Sequence, residues 1–351
     1  MLNNSVLHRE VSLKTPHTSS ANTSQTNVLF QRILDYCTLH KLIKEGDTIL
    51  IGLSGGPDSI LLAHFLAWLQ KKMNCTVIAA HLDHGWRQDS HKDMLFTKRI
   101  AEALGFPFIN KHANKIIGPA KRGSLEEYGR ELRRAFFEQV AASHNAQKIA
   151  LGHHQDDQIE TFFIRLLRGA GLHGLASIRP QQGAYIHPLL GITKQEIIAY
   201  LDNHQIQYLT DYTNVADTHL RNRIRMNVIP VLKQTDKRFE KNCIRAINNL
   251  QHADAFVEKE AQKLLASLSE VYREKRVLAL EPFRSLSPFM QKEVLLAWLI
   301  DERVAFVPTT GFFDEIIRFL SSTTGGFHEL GPSWGIRQQQ QHAWIEKPKP
   351  E

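Results

Sequence analysis

A chain of 351 residues and 40.1 kDa is long enough for two domains, or for one large domain with an appendage. With 42% hydrophobic and 23% charged residues and a mean hydropathy of -0.29, its composition excludes wholesale disorder, and no run of about 18 apolar residues is present to span a membrane. A formal charge of +7 is a weak pointer to a polyanionic partner, because solubilising lysines give the same balance.

Residues 1–26, rich in Ser, Thr and Asn and without apolar periodicity, are expected to form a disordered tail. No apolar core follows the start as a secretory signal requires, and Glu10 with few arginines fits a transit peptide poorly. From Val28 an amphipathic segment (Leu29, Ile33, Leu34, Cys37, Leu42) leads into Thr48-Ile49-Leu50-Ile51-Gly52-Leu53, an apolar run that reads as a buried strand. Further runs at 76–82, 107–109 and 148–151 are separated by helix-length stretches. Strands alternating with helices predict an α/β fold over the first 190 residues, with a doubly wound, mainly parallel sheet. Helical periodicity then dominates from His219 to about Leu268, which predicts a smaller, mostly helical C-terminal domain. Within it Gly331-Pro332-Ser333-Trp334-Gly335 has the chemistry of a hairpin turn. The expected division is a tail at 1–26, a first domain at 27–235 that includes a basic linker helix, a second at 236–346 and a tail at 347–351.

The clearest chemical signal is Ser54-Gly55-Gly56-Pro57-Asp58-Ser59, between the first strand and a helix running through Leu61, Leu62, Phe65 and Leu69. Glycines present successive N–H groups and the helix start adds partial positive charge, so phosphate oxygens find a cradle there, with Ser54 and Ser59 as hydroxyl donors. A carboxylate in such a cradle repels phosphate unless a cation bridges them, which makes Asp58 a candidate Mg²⁺ ligand. A plain turn and N-cap accounts for the same residues. No Walker A lysine motif occurs.

Two other segments fall beyond the predicted strands, His81-Leu82-Asp83-His84-Gly85-Trp86-Arg87 and 151–161, and in an open parallel sheet all three converge on one crevice. Asp156, Asp157 and Glu160 can share a helix face there and hold Mg²⁺, bind a cationic substrate or act as a base; an acidic first turn favoured by the helix dipole is the alternative. Zinc on His81, His84, His153 and His154 is disfavoured by their spacing. Arg130 and Arg133 either reach the crevice to stabilise phosphate or belong to a salt-bridged helix with Glu126. From Arg165 to Arg245 twelve Lys and Arg face six acids, densest at Arg221-Asn222-Arg223-Ile224-Arg225. With Arg168 these residues form either a phosphodiester track or a solvated face. Cys37, Cys75 and Cys243 form no C-x-x-C and suit a reducing cytoplasm.

Together these segments resemble the PP-loop ATP pyrophosphatase superfamily and, within it, the tRNA(Ile)-lysidine synthetases. The resemblance rests on the loop at 54–59, His81 to Arg87, Leu125 to Arg133, His153 to Leu175, Pro188-Leu189-Leu190, and the stretches at 211–214 and 221–230, and covers roughly residues 48–232. The hairpin near Gly331 looks like the end of that family's first C-terminal domain, and the chain stops without the extra domain of longer members. Two departures stand out. His187 replaces the family's usual Arg before Pro-Leu-Leu and removes a fixed charge, and Gly152 replaces a common Ala, expected to be of little consequence.

The resemblance implies a cytoplasmic ligase that uses ATP and Mg²⁺ to adenylate the C2 oxygen of the wobble cytidine in tRNA(Ile) with a CAU anticodon. Free L-lysine then displaces AMP. It implies nucleotide binding by Ser54, Gly55, Gly56, Pro57, Asp58, Ser59 and His84, and catalysis by Asp58, Arg130, Arg133, Asp157 and Glu160. Contact with tRNA falls to Arg168, Arg221, Arg223 and Arg225 together with the C-terminal domain, with no membrane association and a homodimer open as an assembly. The alternatives are a PP-loop tRNA thiolase, for which the three separated cysteines offer no sulfur relay, and a non-catalytic tRNA-binding protein, which gains nothing from acids beside RNA.

Overall fold

In the computed structural model of the chain, which describes residues 20–85, 90–116, 125–209, 220–272, 275–306, 310–331 and 334–346, Ile49-Leu50-Ile51 forms the centre of strand β1 (Thr48–Gly52), fully buried. Successive side chains on a strand face opposite ways. Ile49 and Ile51 accordingly join one apolar cluster and Leu50 another. A strand covered on both faces needs apolar residues at every position, which is why this one reads as an unbroken run. Each such aliphatic side chain contributes about 1.5–3 kcal/mol.

The chain runs through α1 (Ser20–Leu39), β1, α2 (Pro57–Gln70), β2 (Thr76–Asp83), α3 (Ser90–Ala103), β3 (Phe108–His112), a 3-10 turn (Ala113–Lys115), α4 (Leu125–Ser143), β4 (Lys148–Ala150), α5 (Gln155–Leu167), α6 (Leu172–Leu175), β5 (Gln181–Gln182), β6 (Tyr185–Ile186) and α7 (Lys194–Asn203). Helix α1 starts inside the stretch read as a disordered tail. No Gly or Pro interrupts it, and Phe30 and Ile33 anchor it on the core, so the helix extends back through residues of modest propensity. Residues 1–19 lie outside the described residues.

One face of the sheet is covered by Phe30 and Ile33 of α1, Leu61 and Phe65 of α2, and Ile197 and Leu201 of α7; Leu132, Phe136 and Val140 of α4 cover the other. Strand order is β3-β2-β1-β4-β6-β5, with all neighbours parallel except the β5–β6 edge pair. Chain progress reverses between β1 and β4. In open α/β sheets the crevice outside such a reversal is where ligands bind.

Beyond α7, α8 (Leu220–Arg223) passes through a π-helical turn (Ile224–Val228) into α9 (Ile229–Thr235). Pro230 has no N–H to give the helix ladder, and the widened turn before it takes up the break. Helix α10 (Phe239–Leu268) follows, and two compact units divide within it, Met1–Ile247 and Asn248–Glu351, later than residue 235. Phe239, Cys243 and Ile244 pack with Ile159, Ile224 and Ile229, which ties the start of α10 to the first unit.

The second unit adds β7 (Ser269–Tyr272), β8 (Lys275–Ala279), α11 (Leu280–Arg284), α12 (Pro288–Asp301), α13 (Thr310–Ser321), β9 (Gly326–Gly331), β10 (Trp334–Gln339) and β11 (His342–Glu346). Its antiparallel sheet runs β7-β8-β11-β10-β9 over a core that includes Phe283, Trp298, Leu299 and Ile316. The hairpin expected around Gly331 is β9–β10, and its Pro332-Ser333 tip lies outside the described residues. The unit holds 12 Lys and Arg against 14 Asp and Glu, so the chain's positive excess belongs entirely to residues 1–247. Among the described residues no helix is long and apolar enough to cross a membrane.

Candidate active site

Strand β1 delivers the chain to a tight loop at its carboxyl end. The Leu53 carbonyl accepts from His81 Nδ1 at 2.9 Å, which makes the buried His81 a strut of this loop. Gly55 has a φ of +87°, in the left-handed region that disfavours a side chain, and a Cβ there would lie 2.6 Å from Leu209 Cδ1. The buried Ser59 hydroxyl accepts from the Gly55 N–H at 3.1 Å and donates to the Gly56 carbonyl at 2.9 Å. In this arrangement the Ser59 hydroxyl ties the loop together, and Ser54, the other hydroxyl expected to meet phosphate, is exposed. Gly56 precedes α2, Pro57 opens it, and no side chain caps its first turn. Uncapped N–H groups at the start of a long helix beside a glycine turn are the chemistry that phosphate oxygens require.

Asp58, in that first turn, faces the start of α5 across the switch point. Its Oδ1 lies 2.5 Å from Lys194 Nζ and 3.7 Å from Nε2 of the buried His154. His154 also lies 3.6 Å from Asp156 Oδ2 and 3.4 Å from Asp157 Oδ2, and its backbone N–H donates to Asp157 Oδ2 at 3.0 Å. Asp156 in turn accepts from the Lys194 backbone N–H at 2.9 Å. Three carboxylates therefore surround one imidazole. Burial opposes charging His154, yet these acids prevail and raise it above its ordinary value. Burial likewise opposes ionising Asp156 and Asp157; His154 and backbone N–H groups overcome it, holding Asp156 at about 2 and Asp157 below the usual carboxylate range. Gly152 lies against the Asp58 backbone: a Cβ there would sit 3.0 Å from the Asp58 carbonyl carbon, so an Ala at this position requires a shift of a few tenths of an ångström.

Glu160 is placed differently. At 2% exposure it accepts a bidentate pair from Arg225, Nε at 2.6 Å and Nη2 at 2.9 Å, with Arg221 Nε 3.9 Å away. Arg221 Nη1 also lies 4.0 Å from Asp157 Oδ1. Two arginines expected to track RNA phosphates thus face the acids of α5. Arg168 and Arg223 are exposed.

Among the described residues, Asp58 makes its hydrogen bond and ion pairs with Lys194 and His154, and none of these involves Arg130, Arg133 or His84. Arg133 is exposed on α4, and His84 is pushed down to about 4 by burial first and then by the Arg133 charge. Arg130 is exposed, and its charge is felt by Arg165, which donates to the Gly174 and Ser177 carbonyls. Trp86, Arg87 and residues 210–219 lie outside the described residues. Lys194 was a site residue missed from sequence. The signal for it is Thr193-x-x-Glu196, a capping box that starts a helix and places Lys194 at its first position. Among the described residues no group of three or more His, Cys, Asp or Glu is arranged to hold a metal ion. Mg²⁺ needs no such cage: one carboxylate with phosphate oxygens and water suffices, and the half-buried Asp58 fits that role. The cysteines are free, and burial pushes the Cys37 thiol up to about 12 and Cys243 to about 11, so neither is a thiolate at neutral pH.

His187, where the resemblance expects Arg, is buried beside His153, with ring centroids 4.8 Å apart and Nδ1 directed at the Arg179 carbonyl at 2.9 Å. Burial holds both imidazoles below their ordinary value. A histidine depressed in the folded state takes up protons on unfolding, so its contribution is complete above about pH 6.5 and is lost as pH falls toward the folded value. Urea unfolding between about pH 7 and pH 5 is expected to show stability falling by up to roughly 1.4 kcal/mol per pH unit for each such group, and His153→Gln is expected to reduce that slope. An unchanged slope contradicts the burial assigned to this pair.

A PP-loop domain model matches residues 24–232. The chain belongs to the PP-loop domain family. Two proteins similar to this PP-loop chain are a tRNA(Ile)-lysidine synthase of Clostridioides difficile, 36% identical over 251 residues and covering 70% of this chain and 54% of that protein, and one of Bacillus cereus, 30% identical over 303 residues and covering 84% and 64%. The chain thus spans between half and two thirds of the length of these relatives. The U34-tRNA thiolase of Methanococcus maripaludis shares the PP-loop fold, with a TM-score of 0.55 at 18% identity over 66% of this chain and 79% of that one.

Proposed function

We propose that this PP-loop protein joins lysine to C2 of the wobble cytidine of tRNA(Ile) bearing a CAU anticodon, using ATP, in the cytoplasm. The observation that carries the reading is the convergence, at the β1/β4 switch point, of a glycine loop with an uncapped helix start, Asp58, and the acidic first turn of α5. Lysidine synthases among the similar proteins support it, and the raised cysteine pKa values weigh against sulfur transfer.

In this reading the loop at 54–59 holds the triphosphate with His84 alongside. The cytidine C2 oxygen attacks the α-phosphorus and pyrophosphate leaves. Asp58 would hold Mg²⁺, which when bound neutralises charge on the departing pyrophosphate. Arg130 and Arg133 are assigned to phosphate charge on the α4 side. The lysine ε-nitrogen then forms its bond to C2 as AMP departs with the C2 oxygen, and the ammonium proton must be lost.

Free lysine, with a side-chain pKa of about 10.4, arrives protonated. We assign its ammonium to Asp157, since Glu160 is already satisfied by Arg225. A carboxylate held below its usual pKa binds a cation well and accepts its proton poorly, so Asp157 orients the amine rather than acting as the base. Arg168 and Arg223 are assigned to tRNA phosphates. A contact from residues 248–351 would rest on local basic residues, because that unit's net charge is negative. AMP and pyrophosphate release that depends on this tRNA tests the first step. Release that is indifferent to tRNA would overturn the reading.

A further inference from the structure

The glycine loop carries a carboxylate where a Walker loop carries a lysine, so an ATP bound there needs a cation from elsewhere in the fold. Lys194 is 136 residues away in sequence, and its ammonium lies 2.5 Å from Asp58 Oδ1, in the first turn of the loop helix. Its backbone is fixed. The N–H donates to Asp156, and Thr193 and Glu196 close a capping box around the start of α7. Its side chain is less committed, being 38% exposed against 29% for Asp58. A pair this open to water contributes little net stability, so the ammonium can be exchanged onto another anion at low cost.

We propose that Lys194 is the phosphate-positioning cation of this site, resting on Asp58 until nucleotide arrives. A divalent cation and an ammonium repel each other on one carboxylate. Asp58 would hold the metal that accompanies the triphosphate, and the Lys194 ammonium, repelled there, moves onto the β- or γ-phosphate oxygens. The fixed backbone keeps the donor at the loop, and the flexible four-carbon stem lets it move. The pairing also keeps the charge of Asp58 from repelling the incoming phosphates. This inference rests on the reading of the loop as a nucleotide site.

The test is calorimetric titration of the full chain, wild type, Lys194→Met and Lys194→Arg, with ATP and with AMP, in Mg²⁺ and again in EDTA. Lys194→Met is expected to weaken ATP binding about tenfold or more in both media, to change AMP binding less than about threefold, and to be largely rescued by Lys194→Arg. Unchanged ATP binding by Lys194→Met overturns the proposal while leaving the nucleotide site standing. Equal losses for ATP and AMP overturn it too, because they mark a residue that only shapes the loop. A wild-type chain that binds no ATP overturns both this inference and the reading beneath it.

Discussion

Asp157→Asn is expected to raise the lysine requirement by about 10- to 100-fold while tRNA-dependent release of pyrophosphate continues. The substitution preserves shape: the amide oxygen can still accept from the His154 N–H that Asp157 Oδ2 holds at 3.0 Å. What disappears is the negative charge, maintained in a largely buried position by His154 and Arg221 against the cost of burial. A charge-assisted contact to an ammonium there is worth about 1.5–3 kcal/mol. Measuring lysine KM and pyrophosphate release separately divides amine binding from adenylation. Unchanged lysine KM contradicts the assignment, and equal loss of both steps places Asp157 in the nucleotide half of the site.

Arg225→Ala is expected to lower stability by about 2–4 kcal/mol, because it leaves the carboxylate of Glu160, 2% exposed, with Arg221 at 3.9 Å as the one cation to answer it among the described residues. The figure reaches below the range of about 3–5 kcal/mol for broken buried pairs, since Arg225 itself is 43% exposed. Arg225→Lys keeps the charge and loses the fork, so it is expected to fall between Ala and wild type. Glu160→Gln combined with Arg225→Met is expected to recover much of the loss, because no buried charge then stands alone. Thermal melts of the four proteins check this. If Arg225→Ala melts as wild type does but binds tRNA with a flatter salt dependence, Arg225 belongs to the RNA track, as its place in Arg221-Asn222-Arg223-Ile224-Arg225 suggests from sequence.

That difference shows where sequence legibility ends. Strands β1, β2 and β4 are visible as apolar runs, because a strand buried on both faces has few polar positions to disguise it, and the edge strand β3 shows only the short apolar start at Phe108 and Ile109. The convergence of loop ends on one crevice follows from the parallel sheet alone. The two-residue strands β5 and β6 are too short to carry a pattern. Strands β7 and β8 alternate weakly around exposed residues such as Glu270 and Lys275. Above all, no local pattern reports which distant charge a side chain meets. Asp58 with Lys194 and Glu160 with Arg225 are tertiary pairs that join residues 136 and 65 apart in sequence. The basic stretch therefore overstates the charge available to RNA, since part of it answers the acids of α5.

The central claim is that the acids beside the nucleotide loop receive a cationic amine for transfer to an RNA base. Radiolabelled lysine, ATP, Mg²⁺ and tRNA(Ile) with a CAU anticodon, incubated with the full chain, test it most directly. Label that becomes acid-precipitable with the tRNA, requires ATP and disappears when the wobble cytidine is replaced is the predicted result. Tight tRNA binding with ATP consumed and no label incorporated would contradict it.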